Sequence, residues 1–202
     1  MLCETRKPRR NCIAIGKDIC SQCCGSKREI EVDCPLDCSY LVAGRDHETL
    51  ADPGEYPNRE VDVSEAFRNR NEALYILLLA TIQQASAQDP ATYDSDVREA
   101  MAVLVEKYRA IRNGGSFEPQ WKSQRAAAMV VFFEKKITEF RESRVGEDSN
   151  VEAFDTETMF KLIVYLDRFA RMRTNGRPKG KHFLSLLREM FPPMEKDVEA
   201  TT

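Results

Sequence analysis

A chain of 202 residues with 42% hydrophobic and 31% charged side chains, and a mean hydropathy of −0.49, has enough apolar material for a core and enough charge to be soluble. Its net charge of −3 excludes a protein that is basic all over, so contact with nucleic acid or a membrane surface has to come from a local patch. The start has no apolar stretch typical of a secretory signal, and the longest apolar run, Ala73–Ile82, is too short to cross a bilayer. The expected setting is cytoplasmic, with no membrane partner.

Residues 1–11 are basic and read as a mobile lead-in. All seven cysteines lie between Cys3 and Cys38, and six form a tight array: Cys12, Cys20, Cys23, Cys24, Cys34 and Cys38. In a reducing compartment clustered thiols bind metal more often than they pair, and an odd count fits disulfides poorly. Cys20-Ser-Gln-Cys23 has the spacing that lets one turn offer two thiolates to the same ion, with Gly25 supplying a knuckle's positive φ. Lys27–Val32 alternates like a short strand. Pro35 suits the first turn of a helix, with Cys34 at the N-cap and Cys38 one turn later. The reading is a treble-clef-like module over residues 1–50, with Cys20, Cys23, Cys34 and Cys38 holding Zn2+ and Cys12 and Cys24 in reserve. Four thiolates close a tetrahedral site, which makes such zinc structural. An iron–sulfur cluster is less favoured, because the C-x2-C-x2-C run is absent. His47 falls on the far face of the helix after Cys38 and is not expected to be a ligand.

Residues 51–60 carry two prolines and a glycine and read as a linker. From 61 to 191 the pattern predicts a five-helix bundle. Asp62-x-x-Glu65 resembles a capping box for a helix over 63–88, whose middle, Ala73 to Ala80, is apolar on nearly every side and reads as the central helix. Asp94, Ser95 and Asp96 open the second, with Val97, Met101, Leu104, Tyr108 and Ile111 inward, ending at Asn113-Gly114-Gly115. Pro119 opens the third, with Ala126, Val130, Phe133, Ile137 and Phe140 on one face. Thr156 caps the fourth, which buries Met159, Ile163, Leu166 and Ala170. Pro178 opens the fifth, which buries Phe183, Leu184, Leu187 and Phe191. Residues 192–202 read as a disordered tail. Trp121, Phe132 and Phe133 read as core or interface residues.

Between the fourth and fifth helices, Arg168 to Lys181 holds six cations and no anion. Its Gly176-Arg177-Pro178 core with flanking lysines looks like an AT-hook, so Arg171, Arg173, Arg177, Lys179 and Lys181 form a candidate site for an anion or nucleic acid. The competing reading is a solvated turn, with His182 beside it on the surface. No phosphate-binding glycine loop, Ser/His/Asp set or helical metalloprotease motif is present, so no catalytic residue is assigned and an enzyme is not expected.

Ile19–Arg28 (ICSQCCGSKR) with Cys34–Leu41 (CPLDCSYL), and Arg173–Pro178 (RTNGRP) with Phe183–Arg188 (FLSLLR), resemble a family of uncharacterised bacterial proteins with an N-terminal CxxCCG…CPxxC cysteine module and a helical C-terminal region. The resemblance spans most of the chain. It implies a bacterial cytosolic protein and supplies no activity and no ligands. Cysteine-rich modules of the iron- or zinc-chelating type are more distantly similar. Together these features lead to the expectation of a zinc-stabilised, mainly helical protein that binds another macromolecule, with regulation as one role open to it. One alternative is nucleic-acid binding through Arg6 to Arg10 and the Arg168–Lys181 segment. The other is thiol redox chemistry at Cys23 and Cys24.

Overall fold

Gly16, at φ 62°, reverses the chain just after Cys12, whose carbonyl accepts the N–H groups of Ile15 and Gly16. That turn pairs strand β1 (Arg10–Cys12) antiparallel with β2 (Lys17–Ile19), Arg10 opposite Ile19. The computed structural model describes residues 3, 5–52, 54, 56–143 and 155–192, and among them these are the only two strands. Arg10, expected in a mobile lead-in, is thus a strand residue, and its guanidinium lies over the Tyr40 ring at 4.8 Å.

The cysteine-rich part departs from the expected order of elements. Helix α1 (Ser21–Lys27) starts immediately after Cys20, so the Cys20–Cys23 pair and Gly25 are helical and Gly25 needs no positive φ. The expected strand over Lys27–Val32 is the end of α1 and a turn, in which Ile30, Glu31 and Val32 all donate to the Lys27 carbonyl. The alternation of Ile30 and Val32 misled because only Val32 is buried; Ile30 is exposed. The helix expected from Pro35 begins a turn later: Cys38 N–H closes a turn on the Pro35 carbonyl, and α2 runs Ser39–Arg45 with Cys38 at its N-cap. Cys34 is drawn instead into a small apolar cluster with Val32 and Leu41. The hairpin therefore precedes the C-x2-C pair, where a treble clef has it following.

The remainder is helical. The helix expected over 63–88 is two, α3 (Glu65–Arg70) and α4 (Glu72–Ser86), broken at Asn71. Ser64, one residue before Glu65, caps α3 through Oγ to the Phe67 N–H, in place of the expected Asp62. Next come α5 (Asp94–Arg112), α6 (Gln124–Ser143), α7 (Thr156–Met172) and α8 (His182–Met190). Helix α6 starts after Ser123, not at Pro119, because Ser123 Oγ accepts the Arg125 and Ala126 N–H groups. Asp155 caps α7 by accepting the Thr158 N–H at 2.9 Å, the role expected of Thr156. The expected tail falls almost wholly on 193–202, outside the described residues.

One continuous core joins α4 to α8, with Phe133, Phe160 and Phe183 among its fully buried side chains. The central element is not α4, where Ala73 and Ile76 are exposed, but α7, which buries Met159, Phe160, Leu162, Ile163, Val164 and Leu166. Helix α5 packs along α7 and α6, and α4 along α6 and α8. Trp121 and Phe132 pack partly buried against this core, in keeping with the expectation of core or interface residues. None of the described helices is long and apolar enough to cross a membrane.

Candidate metal centre

Cys20 sits at the start of α1 in extended backbone, and its Sγ accepts the Cys23 N–H at 3.3 Å. One helical turn carries Cys23 back over the same end of the helix. Cys3 completes the group: its Sγ lies 3.5 Å from that of Cys20, and its N–H donates to Cys23 Sγ at 3.4 Å. The three sulfurs lie within 4.8 Å of one another, and among the described residues no other three His, Cys, Asp or Glu side chains meet so closely. Cys20 and Cys23 are buried, while Cys3 stays half-exposed with Arg6 Nη1 at 3.6 Å from its sulfur.

Hydrogen bonds from Cys23 and Cys20, with help from Arg6, lower the Cys3 thiol to about 6, so this sulfur is largely thiolate at neutral pH. Cys23 moves the other way. The Cys3 N–H lowers it, but the Cys3 and Cys20 sulfurs beside it prevail and push it up. Three sulfurs sharing one spot thus release their first proton easily and hold the next more tightly, a conflict that a soft cation resolves. Neighbouring sulfurs of a tetrahedral zinc site stand about 3.8 Å apart, given a Zn–S distance of ~2.3 Å.

The sequence-based set of four is divided in space. Cys20 and Cys23 belong with Cys3, for which spacing suggests no role. Cys34 and Cys38 lie around the Val32–Leu41 cluster, with Cys12 packed beside them. Cys24, next to Cys23 on α1, faces away from it and accepts from Arg10 Nη1 at 3.3 Å. Cys23 and Cys24, the proposed redox pair, therefore face different sulfur groups. His47 is exposed on the turn after α2.

The basic segment is bound into the molecule. Arg171 forks onto Asp167, with both oxygens at 3.0 Å. Arg173 is exposed and lies over Phe169 at 5.7 Å. Arg177 Nη1 donates to the Arg28 carbonyl at 3.1 Å, and Lys179 Nζ to the Glu31 carbonyl at 2.7 Å. Lys181 is buried and donates to Asp33 at 2.7 Å and to the Pro90 carbonyl at 2.8 Å. Nor is His182 a free surface residue, since Nδ1 lies 3.1 Å from Glu48 Oε2. Arg177, Lys179 and Lys181 reach carbonyls and an acid that follow α1, so this loop clasps the cysteine-rich part.

At the centre of the clasp is Glu29, which no pattern in the sequence singled out. It is fully buried, with φ 54°, a left-handed conformation costly for a side chain with Cβ. Arg45 grips both its oxygens, at 2.8 and 3.2 Å, Asn175 Nδ2 donates at 2.7 Å and the Lys181 N–H at 2.9 Å. Glu48 shares Arg45, at 2.6 Å, and Asn175, at 2.9 Å.

Compared with protein-family models, curated proteins and solved structures, the chain matches none.

Proposed function

We propose that this chain is a metal-binding protein in which Cys3, Cys20 and Cys23 hold one zinc-class ion as thiolates. The ion anchors the first residues to α1, and the cysteine-rich part so ordered, clasped by the 173–181 loop, is a binding module for another macromolecule in the bacterial cytosol. The observation carrying this reading is the meeting of three sulfurs within 4.8 Å of one another. Three thiolates fill three tetrahedral positions and leave the fourth to water, to exchange or to a donor from a partner. Among the described residues no His, Asp or Glu joins the three sulfurs, and the reading is binding.

A second reading rests on the 3.5 Å between the Cys3 and Cys20 sulfurs. Given an external disulfide as oxidant, the Cys3 thiolate attacks one of its sulfurs. Cys20 then displaces that sulfur, forming a Cys3–Cys20 bond and leaving the oxidant as two thiols. Nucleic-acid binding through the Arg168–Lys181 segment ranks below both. Arg168, Arg171, Arg177 and Lys181 already have partners inside the molecule.

Metal analysis of the full chain, purified without oxygen, separates these readings. Bound zinc that is lost in Cys20→Ser and in Cys3→Ser is expected. Zinc content unchanged by either substitution would sink the reading. A metal-free protein that loses two hydrogen atoms by mass on mild oxidation would favour the redox alternative.

A further inference from the structure

Four cysteines remain outside the Cys3–Cys20–Cys23 group, and they line one cavity. Cys12 at the end of β1, Cys24 on α1, Cys34 after the turn and Cys38 at the head of α2 line a partly open space of about 20 Å³. That is room for one water-sized particle. We infer that these four sulfurs form a second metal site, closed by four thiolates and taking a zinc-class divalent cation.

Local geometry supports the assignment at each position. Adjacent residues on a helix point about 100° apart, so the side of α1 that sends Cys23 to Cys3 sends Cys24 toward this cavity. Its sulfur accepts a charged donor there, Arg10 Nη1 at 3.3 Å. Cys34 is buried beside Val32 and Leu41, which fixes its side chain in the wall of the cavity. Cys38 occupies an N-cap yet makes no capping bond through its side chain, unlike Cys20, so its sulfur is available to the cavity. Cys12 heads a turn in which its own carbonyl accepts two N–H groups, which fixes the backbone behind its sulfur. A charged donor aimed at the Cys24 sulfur is what a thiolate needs and a packed thiol does not.

Charge points the same way. A divalent ion with four thiolates leaves a net charge of about −2. The cavity wall carries Arg10 and Arg28 and no carboxylate, and the rest of it includes Ile19, Val32 and Leu41. Such a wall suits a soft, anionic cluster and disfavours oxygen-seeking cations. As placed, no three of these sulfurs lie within 4.8 Å of one another, so binding draws them inward by side-chain rotation into the cavity. The closed site then straps β1, α1 and α2 together, while the three-sulfur site keeps an open position.

The test loads the full reduced chain with Cd2+, removes loosely held ions, and counts what remains by elemental analysis and by cadmium resonances. Two ions per chain are expected, one of them in an all-sulfur environment. The Cys24→Ala/Cys38→Ala variant should keep one ion and lose the all-sulfur resonance. Should that variant lose its helical signal, Cys24→Ala alone replaces it, and the all-sulfur resonance should move or vanish. No ion held in an all-sulfur environment, or an all-sulfur resonance indifferent to Cys24, overturns the inference. Cys3→Ser distinguishes the two sites. If it removes no ion while the Cys24 effect holds, the three-sulfur reading fails and the second site stands.

Discussion

The carboxylate of Glu29 accepts the backbone N–H of Lys181 at 2.9 Å, across 152 residues of chain. This bond sets the head of α8 against the segment that follows α1, and the Arg45 fork holds the carboxylate in place. A buried acid with these partners is costly to orphan them from, because Arg45 is only 10% exposed and has little water to replace it. Glu29→Ala should therefore destabilise the chain by about 3–5 kcal/mol in urea unfolding, and Glu29→Gln by less. A loss for Glu29→Ala below about 0.5 kcal/mol, the level of ordinary surface changes, would show that the network holds nothing.

The loop cations give a second test, in which structure and sequence disagree. Read as exposed charges, Arg177 and Lys179 are replaceable by Ala at almost no cost in stability. In the fold Arg177 reaches the Arg28 carbonyl and lies 3.5 Å from Glu48, and Lys179 reaches the Glu31 carbonyl. The Arg177→Ala/Lys179→Ala variant should lose about 1–2 kcal/mol, from two charged hydrogen bonds at a partly wet surface. Full stability with weakened binding to an acidic partner would restore the anion-site reading.

The helices were legible because their burial follows a 3.6-residue period. Val97, Met101 and Leu104, and Met159, Ile163 and Leu166, were read inward and are all buried. Helix starts were less legible. Ser64 and Ser123 cap where Asp62 and Pro119 were expected, since a cap depends on one local bond and several residues can offer it. The cysteines were legible as a metal-binding group but not in their partition. Spacing shows which thiols share a turn, but not that Cys3 folds back onto Cys20. Glu29 and Glu48 left no trace because their partners come from distant segments, and an acid in a turn looks the same whether it is buried or wet.

Two buried acids give stability opposite dependences on pH. Burial alone would raise Glu48, but bonds from His182, Arg45 and Asn175 outweigh it and hold the carboxyl at about 2, below its ordinary 4.5. The folded value is the lower, so this contribution is complete above pH ~5 and lost as pH falls from 4.5 toward 2, a loss of about 3 kcal/mol. Burial pushes Asp94 the other way, from 3.8 to about 7, against the Phe183 and Leu184 N–H groups that lower it. Here the folded state binds the proton more tightly, so the contribution is complete below 3.8 and is lost as pH rises toward 7, by about 4 kcal/mol. Urea midpoints should peak near pH ~4–5. Glu48→Gln should flatten the acid limb and Asp94→Asn the upper one; an upper limb unchanged in Asp94→Asn would remove Asp94 from this account.

The last prediction concerns whether the helical part stands alone. Its core residues all lie from Val61 onward, and among the described residues of the cysteine-rich part only Leu36 packs against them. A chain beginning near Glu60 should therefore stay helical and unfold cooperatively, since α4 to α8 keep their shared core. It should still be weaker than the full chain. Without the first residues, Arg177, Lys179 and Lys181 lose Arg28, Glu31 and Asp33, and Asn175 and His182 lose Glu48. These groups then meet water instead of being stranded, so the expected loss is about 2–4 kcal/mol, well short of unfolding. Circular dichroism and urea unfolding of the two chains measure it. Equal stability would mean that the clasp between loop and cysteine-rich part adds nothing. Collapse of the helical signal would mean that the cysteine-rich part is an integral piece of the helical core, and that metal occupancy controls the whole fold.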